Sequence, residues 1–283
     1  MNISVEAETG VGKSTFAFTA PKKLVNFNFD LGAEGAIYGY KYPELFQRFS
    51  IGIIPYEPSY LANYISTKCW STSDITIIEL PLPLHLHGEL IKGRSELWDY
   101  FMKLFIAVCE DAEVRTIVLD TATQAKQVKV DAHIQLLQEQ TIAHNLTQPK
   151  DKQEKIRQQL IEIEYGKPYG DMRAVYQYMT AIKKNLVALH QLKDKYETRI
   201  NSKGQSEQMP SGEQVLDGAT KTMELMDVGL RLSDKGKKVY GRVTKCRPNR
   251  NLEGDELENP TWNSVMDLLS MSLGGRVKME KEL

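Results

Sequence analysis

Ala7-Glu8-Thr9-Gly10-Val11-Gly12-Lys13-Ser14, followed by Thr15, has the spacing of a phosphate-binding loop, with alanine at the first glycine position. In such a loop successive backbone N–H groups turn inward as an anion nest. The lysine ammonium reaches the β and γ phosphates, and the serine hydroxyl ligates Mg²⁺. A helix beginning beside Gly12 would point its positive dipole end at the same phosphates. The expected ligand is a nucleoside triphosphate with Mg²⁺. It would be held by Thr9, Gly10, Val11, Gly12, Lys13, Ser14 and Thr15, with Ser14 on the metal.

The flanks suit that reading. Residues 3–7 read as a short strand and 14–20 as a helix stopped by Pro21. Ser4 and Glu6 alternate with Ile3 and Val5, whereas a strand buried in a parallel sheet is usually apolar throughout. Further strands are expected at 23–30, 75–80, 114–120 and 186–191. Helices are expected at 94–110, where Leu97, Phe101, Leu104 and Phe105 share a face, and at 171–185 after a 166–170 turn. Strands alternating with helices predict an α/β fold, a mainly parallel central sheet with helices on both faces.

One stretch breaks that rhythm. Val130, Ile134 and Leu137, and again Ile156, Leu160 and Ile163, recur at helical spacing on either side of Pro149. This predicts a helical-hairpin insertion over about 124–165. Residues 198–214 are polar and expected to be mobile. A last helix is expected over about 261–273, stopped by Gly274-Gly275. The 283 residues can form one large domain, 1–283.

Ligands of open parallel sheets sit beyond the carboxyl ends of the strands. The residues there are Asp30, Asp120 and the His190-Gln191 pair. Asp120 ends the apolar run 114–120, the place of a carboxylate that orients Mg²⁺ or its water ligands. Asp30 is a candidate to polarise the attacking water, with Glu34 as its competitor, and Asp30 equally suits a turn. Either His190 or Gln191 can sense a γ-phosphate by hydrogen bonding.

Composition sets the outer bounds. Hydrophobic residues make up 41% and charged residues 26%, as in an ordinary globular protein, and no apolar run approaches the length of a membrane helix. With no signal-peptide pattern, the expectation is a cytoplasmic protein without a membrane. Cys69, Cys109 and Cys246 lack metal or disulfide spacing, and His85-Leu-His87 has no obvious third ligand. The net charge is −1, yet residues 235–250 carry no acid. That segment suits a phosphate backbone, with Tyr240 for stacking, or equally a solvated strand pair with edge lysines.

These features together resemble the RecA-like P-loop ATPases, in particular the compact phage and prophage members that act as ATP-dependent single-strand annealing proteins. The resemblance rests on AETGVGKST, NFNFD, RTIVLDT, YGDMRAVYQYM, LVALHQ and VTKCRPN. It implies a RecA-like P-loop NTPase fold, Mg²⁺-dependent ATP hydrolysis, single-stranded DNA as partner, and a homo-oligomeric ring or filament. It places the water-activating acid on Asp30 and the γ-phosphate sensor on Gln191. The basic pair that reaches a neighbouring subunit's nucleotide falls on Lys245 and Arg247, and a DNA-facing loop on about 198–214. The alternative class is an ATP-switched binding or scaffold protein with slow or no hydrolysis. A small-molecule kinase is weaker, because no arginine-rich lid is evident.

Overall fold

The computed structural model describes residues 1–38, 47, 49–82, 90–200, 206–236 and 238–275. Its centre is a nine-stranded sheet in the order β11-β10-β9-β1-β6-β5-β2-β4-β3. The core strands are β1 (Asn2–Glu6), β2 (Leu24–Asn28), β4 (Ile75–Glu79), β5 (Thr116–Asp120), β6 (Asn185–His190) and β9 (Val228–Lys235). From β9 across to β4 every pairing is parallel, and β3 (Ile51–Ile54) extends that sheet at the far edge. At the other edge β10 (Lys238–Cys246) and β11 (Glu256–Glu258) run antiparallel. The strand carrying the phosphate loop, β1, is separated from the Asp120 strand, β5, by β6. With helices on both faces, this is the α/β arrangement with a mainly parallel central sheet expected from the sequence.

Strand alternation sorts the side chains into two cores. Val25, Phe27, Ile117, Leu119, Leu186 and Ala188 point to one face. There they meet α4 (Arg94–Glu110), α5 (Ala122–Asn145) and α6 (Gly166–Ile182). Phe101 of α4 stands edge-on to both Phe27 and Phe29, at ring-centroid distances of 5.2 Å. Ile3, Val5, Leu24, Val118, Val187 and Leu189 point the other way, onto α1 (Lys13–Ala17) and α7 (Trp262–Ser272). Helix α1 has only five residues, too few to persist alone. Phe16 and Ala17 gain their hold by packing in the same core as Trp262, Val265, Met266 and Leu269 of α7. The Thr19 hydroxyl also accepts the backbone N–H of Trp262 at 2.7 Å.

Of the two polar residues noted in β1, Glu6 has a local explanation, while the buried Ser4 hydroxyl has no partner among the described residues. All five residues are buried, and Glu6 is held by Arg231 of β9 at 2.9 Å. Pairing replaces the solvent that a buried carboxylate would otherwise lack.

Three expectations need correction. The insertion at 124–165 is one long helix, α5, with an irregular return holding short 3₁₀ turns at Lys150–Lys152 and Glu162–Tyr165. Side-chain amides of α5 supply the hydrogen bonds that a second helix would have made internally. Asn145 both donates to the Glu154 carbonyl and accepts its N–H, each at 2.8 Å, and Gln138 donates to the Arg157 carbonyl at 2.8 Å. Of the second apolar set, Leu160 is buried while Ile163 stays 83% exposed.

Residues 166–170 are not a turn. They form the first turn and a half of α6, where Pro168 needs no N–H donor. Of the 198–214 stretch, 198–200 and 206–214 are not a loop either but belong to a β-ribbon, β7 (Leu192–Ile200) with β8 (Ser206–Leu216), paired antiparallel, while 201–205 lie outside the described residues. Sequence reading also passed over β3, β11, α2 (Ala33–Tyr38) and α3 (Leu61–Thr67).

Candidate nucleotide site

The phosphate loop, Asp30, Asp120 and Gln191 converge at the carboxyl ends of β1, β2, β5 and β6 on one cavity of about 410 Å³. Of the expected loop residues Thr9 to Thr15, all except Val11 line it. Gly10 and Gly12 have φ of 82° and 104°, a region that side chains disfavour, so glycine is required for the backbone to turn its N–H groups inward. Gly12 immediately precedes α1.

Lys13 is 8% exposed, and its ammonium donates to the carbonyls of Ala7 at 3.0 Å and Glu8 at 2.9 Å. Burial pulls its pKa below the usual lysine value, against the opposing charges of Asp120 and Asp30. Carbonyl partners are weaker than a phosphate, so a triphosphate can take the ammonium from its own loop.

Asp120 is 1% exposed, and among the described residues its Oδ2 has no hydrogen-bond partner. Burial first, then the nearby Asp30 carboxylate, push its pKa up to about 7, while the Ser14 hydroxyl, Lys13 and Asn26 pull it down. A hydroxyl beside a carboxylate with an uncommitted oxygen suits an octahedral, oxygen-seeking cation, so Ser14 and Asp120 fit Mg²⁺. Asp30 accepts the Gly32 N–H at 3.0 Å. It therefore makes the turn and borders the cavity at once. Glu34 falls within α2, whose Gly35 and Ala36 line the cavity, but its side chain lies outside the described residues.

Between the two candidates ending β6, the structure separates roles. Gln191 lines the cavity. His190 is fully buried, outside that lining, and burial drives its pKa down to about 4, so it is neutral at ordinary pH. Gln191 is fixed by residues the sequence reading missed. Its N–H donates to the Thr123 hydroxyl at 3.0 Å, and its carbonyl accepts the Asp217 N–H at 2.8 Å. Lys126 anchors the Asp217 carboxylate at 2.6 Å. No local spacing in the sequence announces this arrangement, because Thr123 and Gln191 are 68 residues apart and Lys126 and Asp217 are 91.

Lys245 and Arg247 are not brought to this cavity. They line a separate cleft of about 1020 Å³ that shares no lining residue with it. The Lys245 ammonium bonds the Met223 carbonyl. Arg247 bonds the Asp227 carboxylate at 3.0 Å and the Glu224 carbonyl at 2.6 Å.

The basic segment 235–250 is matched by acids from β11. Lys235 pairs with Glu256 at 3.3 Å and Lys238 with Glu258 at 2.8 Å, and Lys235 also lies over the Tyr240 ring at 4.7 Å. Lys237 lies outside the described residues, as do His85 and His87. Among the described residues no group of three or more His, Cys, Asp or Glu is placed to hold a metal ion, and no helix is long and apolar enough to cross a membrane. The three cysteines are unpaired.

No family model matches the chain, and no curated protein matches it. Among solved structures it is similar to a KaiC-like protein from the hyperthermophilic archaeon Pyrococcus horikoshii OT3, with 13% identity and a TM-score of 0.39, over 91% of this chain and 82% of that one. It is also similar to an ATPase from the type III secretion system of pathogenic bacteria, with 8% identity and a TM-score of 0.37. That match covers 82% of this chain and about half, 52%, of the ATPase. At such distances neither likeness assigns a residue or an activity.

Proposed function

We propose that this protein is a Mg²⁺-dependent ATPase of the RecA-like type whose site is completed between subunits and whose partner is single-stranded DNA. The observation that carries the ATPase reading is the convergence of Lys13, Ser14, Asp30, Asp120 and Gln191 on one cavity. Lys13 and the loop N–H groups would bind the β and γ phosphates, and Ser14 with Asp120 would hold Mg²⁺, which offsets charge on the phosphoryl oxygens. Asp30 would align and deprotonate the attacking water, while Gln191 would report the γ-phosphate to the β7–β8 ribbon that follows it directly. A second thread runs from loop to ribbon: Gln214 donates to Glu8 at 3.3 Å.

The intersubunit part is supported by where Lys245 and Arg247 lie, in a cleft that does not include their own nucleotide cavity. The resemblance in sequence and the exposed ribbon with Tyr196 support single-stranded DNA. A second reading, an ATP-switched protein-binding module, is favoured by the acids of β11 that match the basic strand. ATP hydrolysis measured across protein concentrations, with and without single-stranded DNA, separates the two. Stimulation by DNA and a specific activity that rises with concentration support the first; slow turnover indifferent to both supports the second.

A further inference from the structure

Beneath the floor of the nucleotide cavity, Asn28 occupies a position that a parallel strand normally gives to an apolar residue. It is 1% exposed, and among the described residues neither its Nδ2 nor its Oδ1 has a hydrogen-bond partner. A buried carboxamide left this way costs about 1–3 kcal/mol per unsatisfied group, so its retention calls for a state in which it is satisfied.

Register says which neighbours are in reach. Asn28 of β2 stands directly opposite Asp120 of β5. Leu24 and Val118 belong to the core on the α1 side, and Asn28 and Asp120 follow them by even steps, so both side chains share that face. Asp30, two residues further on, borders the cavity above. Asp120 Oδ2 is also without a partner among the described residues. Two adjacent strands thus put the Asn28 carboxamide at the same rung as an uncommitted carboxylate oxygen; a second buried amide, Asn26, lies two residues earlier on the same face and lowers the Asp120 pKa by hydrogen bonding.

We infer that Asn28 is a positioning residue for the metal-nucleotide complex, its carboxamide N–H fixing the Asp120 carboxylate in the orientation that serves the Ser14-side cation and its water ligands. This rests on the nucleotide reading above. A carboxylate that turns one oxygen to a cation or its water needs a donor on the other, and such supporting contacts shape affinity nearly as much as the ligands themselves. Ser14 cannot serve both, because its hydroxyl would be turned to the cation, and Asn26, opposite Val118, reaches Asp120 from the side away from the cavity, leaving the rung of Asp120 itself to Asn28. Asn28 acts through Asp120 and touches neither phosphate nor water in this scheme.

The test compares the intact protein with Asn28→Leu, close in size and without polar atoms, and Asn28→Asp, which keeps the shape but loses the donor. Thermal stability is followed with no ligand, with a non-hydrolysable ATP analogue in EDTA, and with the analogue over a Mg²⁺ titration. Expected are an unliganded midpoint for Asn28→Leu equal to or above the parent's, an unchanged analogue effect in EDTA, and a Mg²⁺ requirement raised about 10-fold or more in both variants.

If the parent itself shows no Mg²⁺-dependent shift with the analogue, the nucleotide reading fails. If the parent shows it and both variants keep the parent's Mg²⁺ dependence, the role given to Asn28 is wrong. A lowered unliganded midpoint with unchanged Mg²⁺ dependence would make Asn28 purely structural. Should Asn28→Leu fail to fold, the Mg²⁺ titration of Asn28→Asp decides alone.

Discussion

Lysines beside neighbouring strands of the sheet lead different lives. Lys13 is buried, and among the described residues its ammonium donates to backbone carbonyls of its own loop. Lys235 and Lys238 stand on the exposed β9–β10 edge, each facing a glutamate of β11. The first arrangement holds a cation ready for an anion that can displace weak partners; the second has its anion built in. Counting positive charges along a sequence cannot tell them apart, because the difference lies in what each charge already touches.

The strongest way to break this comparison is Lys13→Ala. The fold should persist while ATP binding, read by calorimetry, falls below detection. Near-normal hydrolysis in the folded variant would mean that the buried lysine is not the phosphate ligand.

Next in size is the double change Lys245→Ala with Arg247→Ala. Cations supplied in trans contribute about 10³-fold or more to related phosphoryl transfers, so turnover should drop by that order while ATP binding remains. Mixing with the Lys13→Ala protein should restore some activity, since one subunit keeps the loop and the other the basic pair. Turnover independent of protein concentration, with no rescue, would confine both residues to the bonds they make with Asp227, Glu224 and Met223.

Asp120→Asn should cost about 10²-fold or more in turnover, and it carries a stability signature of opposite sign. The folded Asp120 pKa, about 7, lies above the unfolded value near 3.9. The unfolded chain therefore ionises first. Its contribution is fully retained below the unfolded pKa and lost as pH rises through the folded one. The unliganded variant should melt higher than the parent at pH 8, with the gap closing toward pH 4. His190 works the other way: its folded value of about 4 lies below the ordinary 6.5, so its contribution is lost as pH falls between them. Melting curves of Asp120→Asn and His190→Gln from pH 4 to 8 should change slope in opposite directions.

The smallest effect concerns the edge strands. If the basic segment meets single-stranded DNA, Arg242→Gln should lower the slope of log affinity against log salt by about 0.7, the value of one phosphate contact. Lys238→Gln should lower it less, because Glu258 already holds that ammonium. Glu256→Gln with Glu258→Gln should steepen it. Equal slopes in all variants would remove this edge from the DNA surface.

The site was more legible than the frame that fixes it. A phosphate loop is local and encoded in eight consecutive residues, and an apolar run ending in Asp120 needs only its own seven. Helix 94–110 was readable because one periodic face covers the whole element. The return after α5 was misread because helical spacing says where apolar groups recur, not whether Asn145 and Gln138 will capture the backbone first. The β7–β8 ribbon escaped because both of its faces are mostly exposed, which erases the alternation that marks a half-buried strand. Strand β11 is three residues long and offers no pattern at all. Asn28 had a signal, polar residues at alternate positions of Leu24-Val-Asn-Phe-Asn28, but its meaning depends on which strand lies next to it.

Helix α7 bears on anyone who shortens or tethers this chain. None of its residues lines the nucleotide cavity, yet it forms the wall against which the five-residue α1 rests, and Thr19 clips the two together. Deleting residues from 261 onward would expose Phe16 and free the loop's own helix to unwind, so a tail truncation would masquerade as an active-site lesion. A fusion partner or surface attachment is therefore better placed on an exposed segment far from α1, such as the return around Lys150–Lys152.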